Sequence, residues 1–401
     1  KKWTWGLIGA GVLALLYGFI MLHPFEHAAH GSTDHSSTRF WAVLLQNSVY
    51  WLLVVNASMF FICVTTMAMG GWQVALRRVP EAISSVVPFL GIITFLVLMA
   101  IIWGGRTDIY HWLDNEAVKN DPVLNGKSGF LNPKFYTIWS AIAILMWWLL
   151  GRKMRSMSLE TDNNGTMDYE TGKKWIWKNT VWASLYAVFF GLSVASTIPW
   201  LWLMSIDAHW YSTMYSWYTF ASTFVSGMSL VALFVIFLKN RGQLEYVTEE
   251  HLHDVGKFMF AFSVFWTYLW FSQFMLIWYA NLPEEVVYYQ TRWRLFRSLW
   301  IGNFFINFIA PFLVLMTRDA KRQTTVLTVA GIIILVGHWI DVYVMVMPGT
   351  VGKDWHIGFI EIGTAIGYLG AFIMSTLSEL SKATLVPKNH PMLQESLHHH
   401  I

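Results

Sequence analysis

Ten apolar stretches of roughly 20 residues recur along this 401-residue chain. A helix needs about 20 mostly apolar residues to cross some 30 Å of hydrocarbon, so each stretch is long enough to span a membrane once. They cover approximately residues 3–22, 50–72, 82–103, 135–150, 175–202, 214–238, 258–280, 299–316, 325–347 and 357–377. Residues 40–46 either extend the second span or lie along the interface. The composition agrees: 55% of residues are apolar and 13% charged, against about 25% charged in a soluble domain. The expected fold class is an all-α polytopic membrane protein with about ten transmembrane helices, residues 1–401 forming one integral membrane domain. The first span has no A-x-A site after it and reads as a retained helix rather than a signal peptide. The longest intervening segments, 104–134 and 151–174, are too short for separate domains.

Charge sets the orientation and removes some functions. Placing both termini on one side puts 18 of the 27 Lys and Arg on that face and 9 on the other, which predicts cytoplasmic termini by the positive-inside rule. A net charge of +3, with its basic residues in short clusters between apolar runs, argues against a nucleic-acid partner. The single cysteine, Cys63, excludes internal disulfides, an iron–sulfur cluster held by this chain alone and a c-type haem site. Many of the 24 Trp stand near span ends, as an interfacial aromatic belt requires. Gly363 and Gly367, and Gly6, Gly9 and Gly11, read as helix-packing faces. Pro88, Pro199 and Pro311 fall inside spans, where each is a tolerated kink or a break that opens a cavity.

Ionisable side chains inside hydrocarbon are costly and mark function by default. His338 and Asp341, three apart in the ninth span, share a helix face. Glu361 stands near the outer end of the tenth. At about 1.5 Å per residue, Asp341 is expected roughly 9 Å and Glu361 roughly 6 Å below the outer helix ends, at similar depths. A histidine flanked by carboxylates takes up and releases protons near neutral pH, which suits a proton relay or a quinol headgroup site. The plainer alternative is a hydrogen-bonded pair that holds helices together. Haem b ligation would need a second deep histidine, and His23, His251, His253 and His356 all sit at span ends.

Other polar groups are weaker candidates. At the start of the seventh span, His253, Asp254 and Lys257 form either a proton entry point or a solvated helix end whose acids suit the N-terminal dipole. Thr267, Tyr268, Ser272 and Gln273 would line a polar path along that helix, or make ordinary interhelical hydrogen bonds. Arg292, Arg294 and Arg297 pair with Glu284 and Glu285 or with an acidic partner. Asp108, His111, Asp114 and Glu116 match no specific metal spacing and read as a solvated loop. His398, His399 and His400 carry no functional weight.

Three stretches point to a family: Arg77-Arg78-Val79-Pro80-Glu81-Ala82-Ile83, then Phe265-Trp266-Thr267-Tyr268-Leu269-Trp270-Phe271-Ser272-Gln273 continuing to Asn281-Leu282-Pro283-Glu284-Glu285, and Gly337-His338-Trp339-Ile340-Asp341-Val342-Tyr343. They resemble the F subunit of bacterial alternative complex III, of the NrfD/polysulfide-reductase membrane-subunit group. The resemblance covers the ten-helix layout. It implies one four-helix bundle over residues 40–210, a second over 211–347, and a last helix with a cytoplasmic tail over 348–401. It further implies a multi-pass subunit of the bacterial cytoplasmic membrane, in a respiratory quinol:cytochrome c or quinol:oxidase oxidoreductase. Partners would include a related membrane subunit, periplasmic iron–sulfur and cytochrome c subunits, and lipid. Clusters and haems would sit on those partners, no cofactor on this chain, and quinol would be a possible ligand. In the related C subunit the quinol site is expected in the first bundle, whereas here spans two to five offer Asn47 and Asn56 but no deep Asp, Glu or His. The resemblance therefore casts His338, Asp341 and Glu361 as a proton half-channel or secondary quinone site rather than a lone quinol-oxidising centre. A secondary transporter and a purely structural anchor are the competing classes.

Overall fold

The structure, a computed structural model, describes residues 2–26, 35–163 and 165–400. Lys1, counted above, lies outside them. Ten helices are long and apolar enough to cross a membrane: α1 Lys2–Leu22, α2 Ser36–Met67, α3 Arg78–Trp103, α4 Pro133–Asn163, α5 Tyr169–Trp202, α6 Met214–Lys239, α7 Glu249–Ala280, α8 Arg297–Leu315, α9 Thr324–Thr350 and α10 Phe359–Leu380. No strand is present among the described residues. The chain is an all-α multi-pass membrane protein.

Several boundaries differ from expectation; α7, for one, begins at Glu249, nine residues before the seventh apolar run. Helix α2 begins 14 residues before the second apolar run, so residues 40–46 extend that span, the first of the two readings open to them, and Gln46, Asn47 and Ser48 are buried between helices. It ends at Met67, and Gly71–Leu76 forms a separate 3-10 turn. Helix α4 continues well past residue 150, where Arg152, Lys153 and Arg155 interrupt the apolar run. Met154, Met157, Ser158 and Thr161 still face the interior, so an amphipathic extension replaces the expected loop.

Helices α2 to α5 pack in one ring of four and α6 to α9 in another. The rings meet through α2 and α6, whose most apolar windows are each 89% buried against 17% for α1. Between the rings, Phe60 of α2 meets Phe220 and Phe224 of α6 edge to face at 5.6 and 5.8 Å, and Phe190 of α5 meets Phe220 at 5.9 Å. Helix α1 runs along α10, and α10 along α2. Successive spans alternate in direction, so one end of the bundle carries both ends of the described chain. That end is called here the terminal face, and the opposite end the far face.

The prolines bend helices without ending them. Pro199 and Pro311 each follow a five-residue π-turn, Ser193–Thr197 and Phe305–Ile309, which absorbs the hydrogen bond that proline cannot donate and the clash of its ring. Pro88 follows a short turn after Ser84.

Close packing of α1 on α10 rests on small residues. A Cβ at Gly11 would lie 2.3 Å from Gly367 Cα, and one at Gly363 would lie 2.3 Å from Ala14 Cβ. Gly6 and Gly9 have open surroundings, so of the three N-terminal glycines only Gly11 belongs to this contact.

The segment after α10 folds back across the terminal face. Ser396 Oγ accepts from Ala75 N (3.0 Å), donates to Trp72 O (2.6 Å) and meets His251 Nε2 (3.2 Å). Glu395 Oε1 accepts from Gly71 N at 3.1 Å. His390 is buried against Trp175, and burial beside Arg77 and Arg78 holds its imidazole well below the ordinary histidine range.

Gly367→Leu is expected to separate α1 from α10 at a cost of about 1–3 kcal/mol, read as a lower thermal unfolding midpoint. His390 must stay neutral to remain docked. Stability of the segment is therefore complete above the unfolded histidine pKa of about 6.5 and falls as pH drops below it. The protection factors of residues 388–397, taken against the intrinsic exchange rate at each pH, should fall between pH 7.5 and 5.5, and His390→Phe should remove that fall.

Candidate functional site

All four helices of the second ring converge on one carboxylate. Asp341 of α9 is completely buried. Its Oδ1 accepts from the hydroxyl of Tyr218 on α6 and from Asn303 Nδ2 on α8 (3.4 Å), and its Oδ2 accepts from Trp266 Nε1 on α7 (2.9 Å). His338, one turn earlier and equally buried, places Nδ1 3.6 Å from Oδ2 and 2.9 Å from Ser222 Oγ on α6. Among the described residues no Lys or Arg contacts Asp341. His338 Nε2 has no partner, and the same holds for Asn303 Oδ1 and both side-chain polar atoms of Asn307.

Backbone shape builds this arrangement. The π-turn of α8 brings Asn307 against α9, where a Cβ on Gly337 would lie 2.1 Å from Asn307 Oδ1. Only glycine at 337 permits that approach beside His338.

Towards the far face the polar groups continue. Tyr218, Gln273, Tyr288, Tyr289 and Arg292 line a cavity of about 20 Å³, which is room for about one water. Gln273 Nε2 is buried without a partner. Burial pushes the Tyr288 and Tyr289 hydroxyls far above the usual phenol range, so both stay protonated. Arg292 is buried over the Tyr288 ring at 3.2 Å and reaches Asp207 Oδ2 and the Met345 carbonyl, each at 3.3 Å. Asp207 is part-exposed and opens this string to the far face.

Glu361 does not join the pair. It lies in the first turn of α10, about 3 Å below that helix start, whereas Asp341 lies nine residues, about 13 Å, below the end of α9. Its carboxylate takes Arg39 Nε at 2.6 Å and Nη2 at 2.7 Å and caps Gly358 N at 2.9 Å. A bidentate pair to a fixed guanidinium fastens α10 to α2 and is ill suited to carry protons.

The entry candidates are also elsewhere. Asp254 meets Lys257 Nζ at 2.5 Å and His399 Nε2 at 2.8 Å, with His253 Nδ1 4.0 Å away. Asp254 is twelve residues along α7 from Trp266, about 18 Å. His399 thus has a partner that its terminal position did not suggest. Tyr268 is exposed, Ser272 is half-buried, and Ser272 and Thr267 each bond within their own helix, so only Gln273 of the expected path is buried in the interior. Arg292 pairs with Asp207 rather than with Glu284 or Glu285. Asp108 is held by Thr38 and Arg106, and Asp114 caps a short helix. No group of three or more His, Cys, Asp or Glu that could hold a metal occurs among the described residues.

Sequence reasoning missed Tyr218, Trp266, Asn303 and Ser222. Their signal was polar or indole groups four apart on apolar helices: Tyr218 with Ser222, Asn303 with Asn307. It also missed the charges at the terminal end of α3, where buried Glu81 binds Arg77 Nε at 2.7 Å and Arg78 bonds Asp162 at 2.9 Å.

Glu361→Gln is expected to cost about 3–5 kcal/mol by leaving Arg39 unpaired in a mostly buried place. The check is a lower thermal unfolding midpoint. No family model matches this chain, and no curated protein is significantly similar to it.

Proposed function

We propose that the chain is a membrane subunit of a bacterial quinol-oxidising respiratory complex, in which Asp341 and His338 pass protons. It would lie in the cytoplasmic membrane with its termini in the cytoplasm, beside a related membrane subunit and periplasmic subunits that carry iron–sulfur clusters and c-type haems. The three quoted stretches and the two-to-one bias of basic residues support the setting. The observation that carries the chemistry is the fully buried Asp341, held by neutral donors, with His338 at 3.6 Å. Among the described residues no fixed cation stands beside this carboxylate, unlike Glu361, which Arg39 holds at 2.6 Å.

Size supports one of the two versions of this role. The neighbouring cavity of about 20 Å³ admits a water but no quinone ring. Proton transfer is therefore favoured over a secondary quinone headgroup site at this place. Tyr218, the cavity and Gln273 supply a route from Asp341 towards the far face, the periplasmic side in this orientation, and the Arg292–Asp207 ion pair stands at its outer end. A water in the cavity, with proton donors and acceptors on either side, would complete it.

A second reading, a secondary transporter, draws support from the π-turn and proline of α8 beside the buried acid, since transporter sites favour interrupted helices. Co-purification of the chain with haem- and iron–sulfur-containing subunits is expected under the respiratory reading, and recovery as a lone functional protein would overturn it.

Asp341→Asn in the intact complex is expected to lower proton release during quinol oxidation by about 100-fold, with Asp341→Glu retaining part of it and subunit composition preserved. Unchanged proton release in the Asn variant would leave the chain as an anchor.

A further inference from the structure

At the far face, the segment between α3 and α4 forms two short helices, and Lys127 at the end of the second, Pro122–Lys127, reaches the stretch joining α5 to α6. A cleft of about 390 Å³ lies between them, within the range of small-molecule sites. It sits at the membrane boundary, since Trp200 belongs to the last turn of α5 and Thr213 immediately precedes α6. Phe130, Leu131 and Met204 give it an apolar wall.

Its polar groups are donors that lack an anion. Lys127 is half-buried, and its Nζ donates to the carbonyls of Ala208 at 2.6 Å and Trp210 at 3.5 Å. Among the described residues no carboxylate lies within ion-pair distance of it, and the nearby Asp121 is engaged by His209 at 2.6 Å and by Val123 and Leu124 N. Burial pulls the Lys127 ammonium below its usual range, as expected for a cation without a close counter-charge. The indole N–H groups of Trp200 and Trp210 are both buried and have no acceptor, although both rings line the same cleft. Each such donor costs about 1–3 kcal/mol unless something accepts from it.

We propose that this cleft binds a glycerophospholipid of the far-face leaflet, with its phosphodiester at Lys127 and the two indoles and one acyl chain along Phe130 and Leu131. One cation and two free donors beside an apolar wall match an amphiphile whose anionic group sits at the membrane boundary. A free phosphate would leave the apolar wall wet, and a hydrocarbon alone would leave the donors unanswered.

The test uses the full chain, within its complex if it purifies as one, delipidated in mild detergent and titrated with phosphatidylglycerol under native mass spectrometry. The expected result is one tightly held lipid, with Lys127→Gln weakening it about tenfold, the scale of one charge-assisted hydrogen bond. Lys127→Arg should retain binding. Diacylglycerol, which lacks the phosphate, should bind at least as weakly as the lipid does to the Gln variant, and inorganic phosphate should not compete. Gly126→Trp tests the apolar half: Gly126 lines the cleft and a Cβ there meets nothing within 4 Å, so a larger side chain starts from open space. It should displace the lipid with the unfolding midpoint unchanged. Undiminished lipid binding in both Lys127→Gln and Gly126→Trp would overturn the proposal, as would equal binding of diacylglycerol or full competition by phosphate. If Lys127→Gln fails to fold, Gly126→Trp decides alone.

Discussion

A single carboxylate inside hydrocarbon organises the second ring of helices. Asp341 draws a hydroxyl from α6, an indole from α7 and an amide from α8, so each neighbour contributes one donor to the same two oxygens. A buried ion that loses its partners costs several kcal/mol, and each hydrogen bond to a charged group returns about 1.5–3 kcal/mol. Helix positions in that ring are consequently coupled to the state of one side chain. Packing follows the same demand: the α8 π-turn and the bare backbone at Gly337 exist where α8 must come closest to His338.

The first ring solves the same packing problem without charge at depth. Where the second ring has Tyr218 donating to Asp341, the first has Tyr186 donating to the amide of Asn56, and Trp147 and Trp202 donate to Ser193 and Ser140. Apart from Arg39 at the far end, its ions, Arg77, Arg78, Glu81 and Asp162, gather at the terminal face, where water is near and α10 and α4 can be tied down by Arg155 and Glu379. Two rings of similar build thus differ in where they keep their titratable groups.

Much of the fold was legible because hydrocarbon imposes a length rule that few soluble sequences meet. All ten spans answer to apolar runs, and the misjudged ends are places where polarity was taken for exposure. Gln46 to Ser48 are interior, and Arg155 lies against the protein rather than beyond it. Within the site, His338 with Asp341 was visible from a three-residue spacing on one helix. Glu361 was misplaced because depth was counted from an apolar window rather than from the true start of α10. Tyr218, Trp266 and Asn303 come from three other helices, and a linear pattern holds no information on which helices will be neighbours. Arg39 as the partner of Glu361, 322 positions away, was hidden for the same reason.

The folded-back tail has a mechanical consequence. Ser396 touches the α2–α3 connection through Trp72 and Ala75 and touches α7 through His251, while Glu395 and His399 grip Gly71 and Asp254. One short helix therefore spans both rings at their shared rim like a clasp on two halves of a case. A machine that works by rocking one half against the other would have to unfasten and refasten that clasp in every cycle, whereas one that moves only protons along fixed side chains can leave it shut.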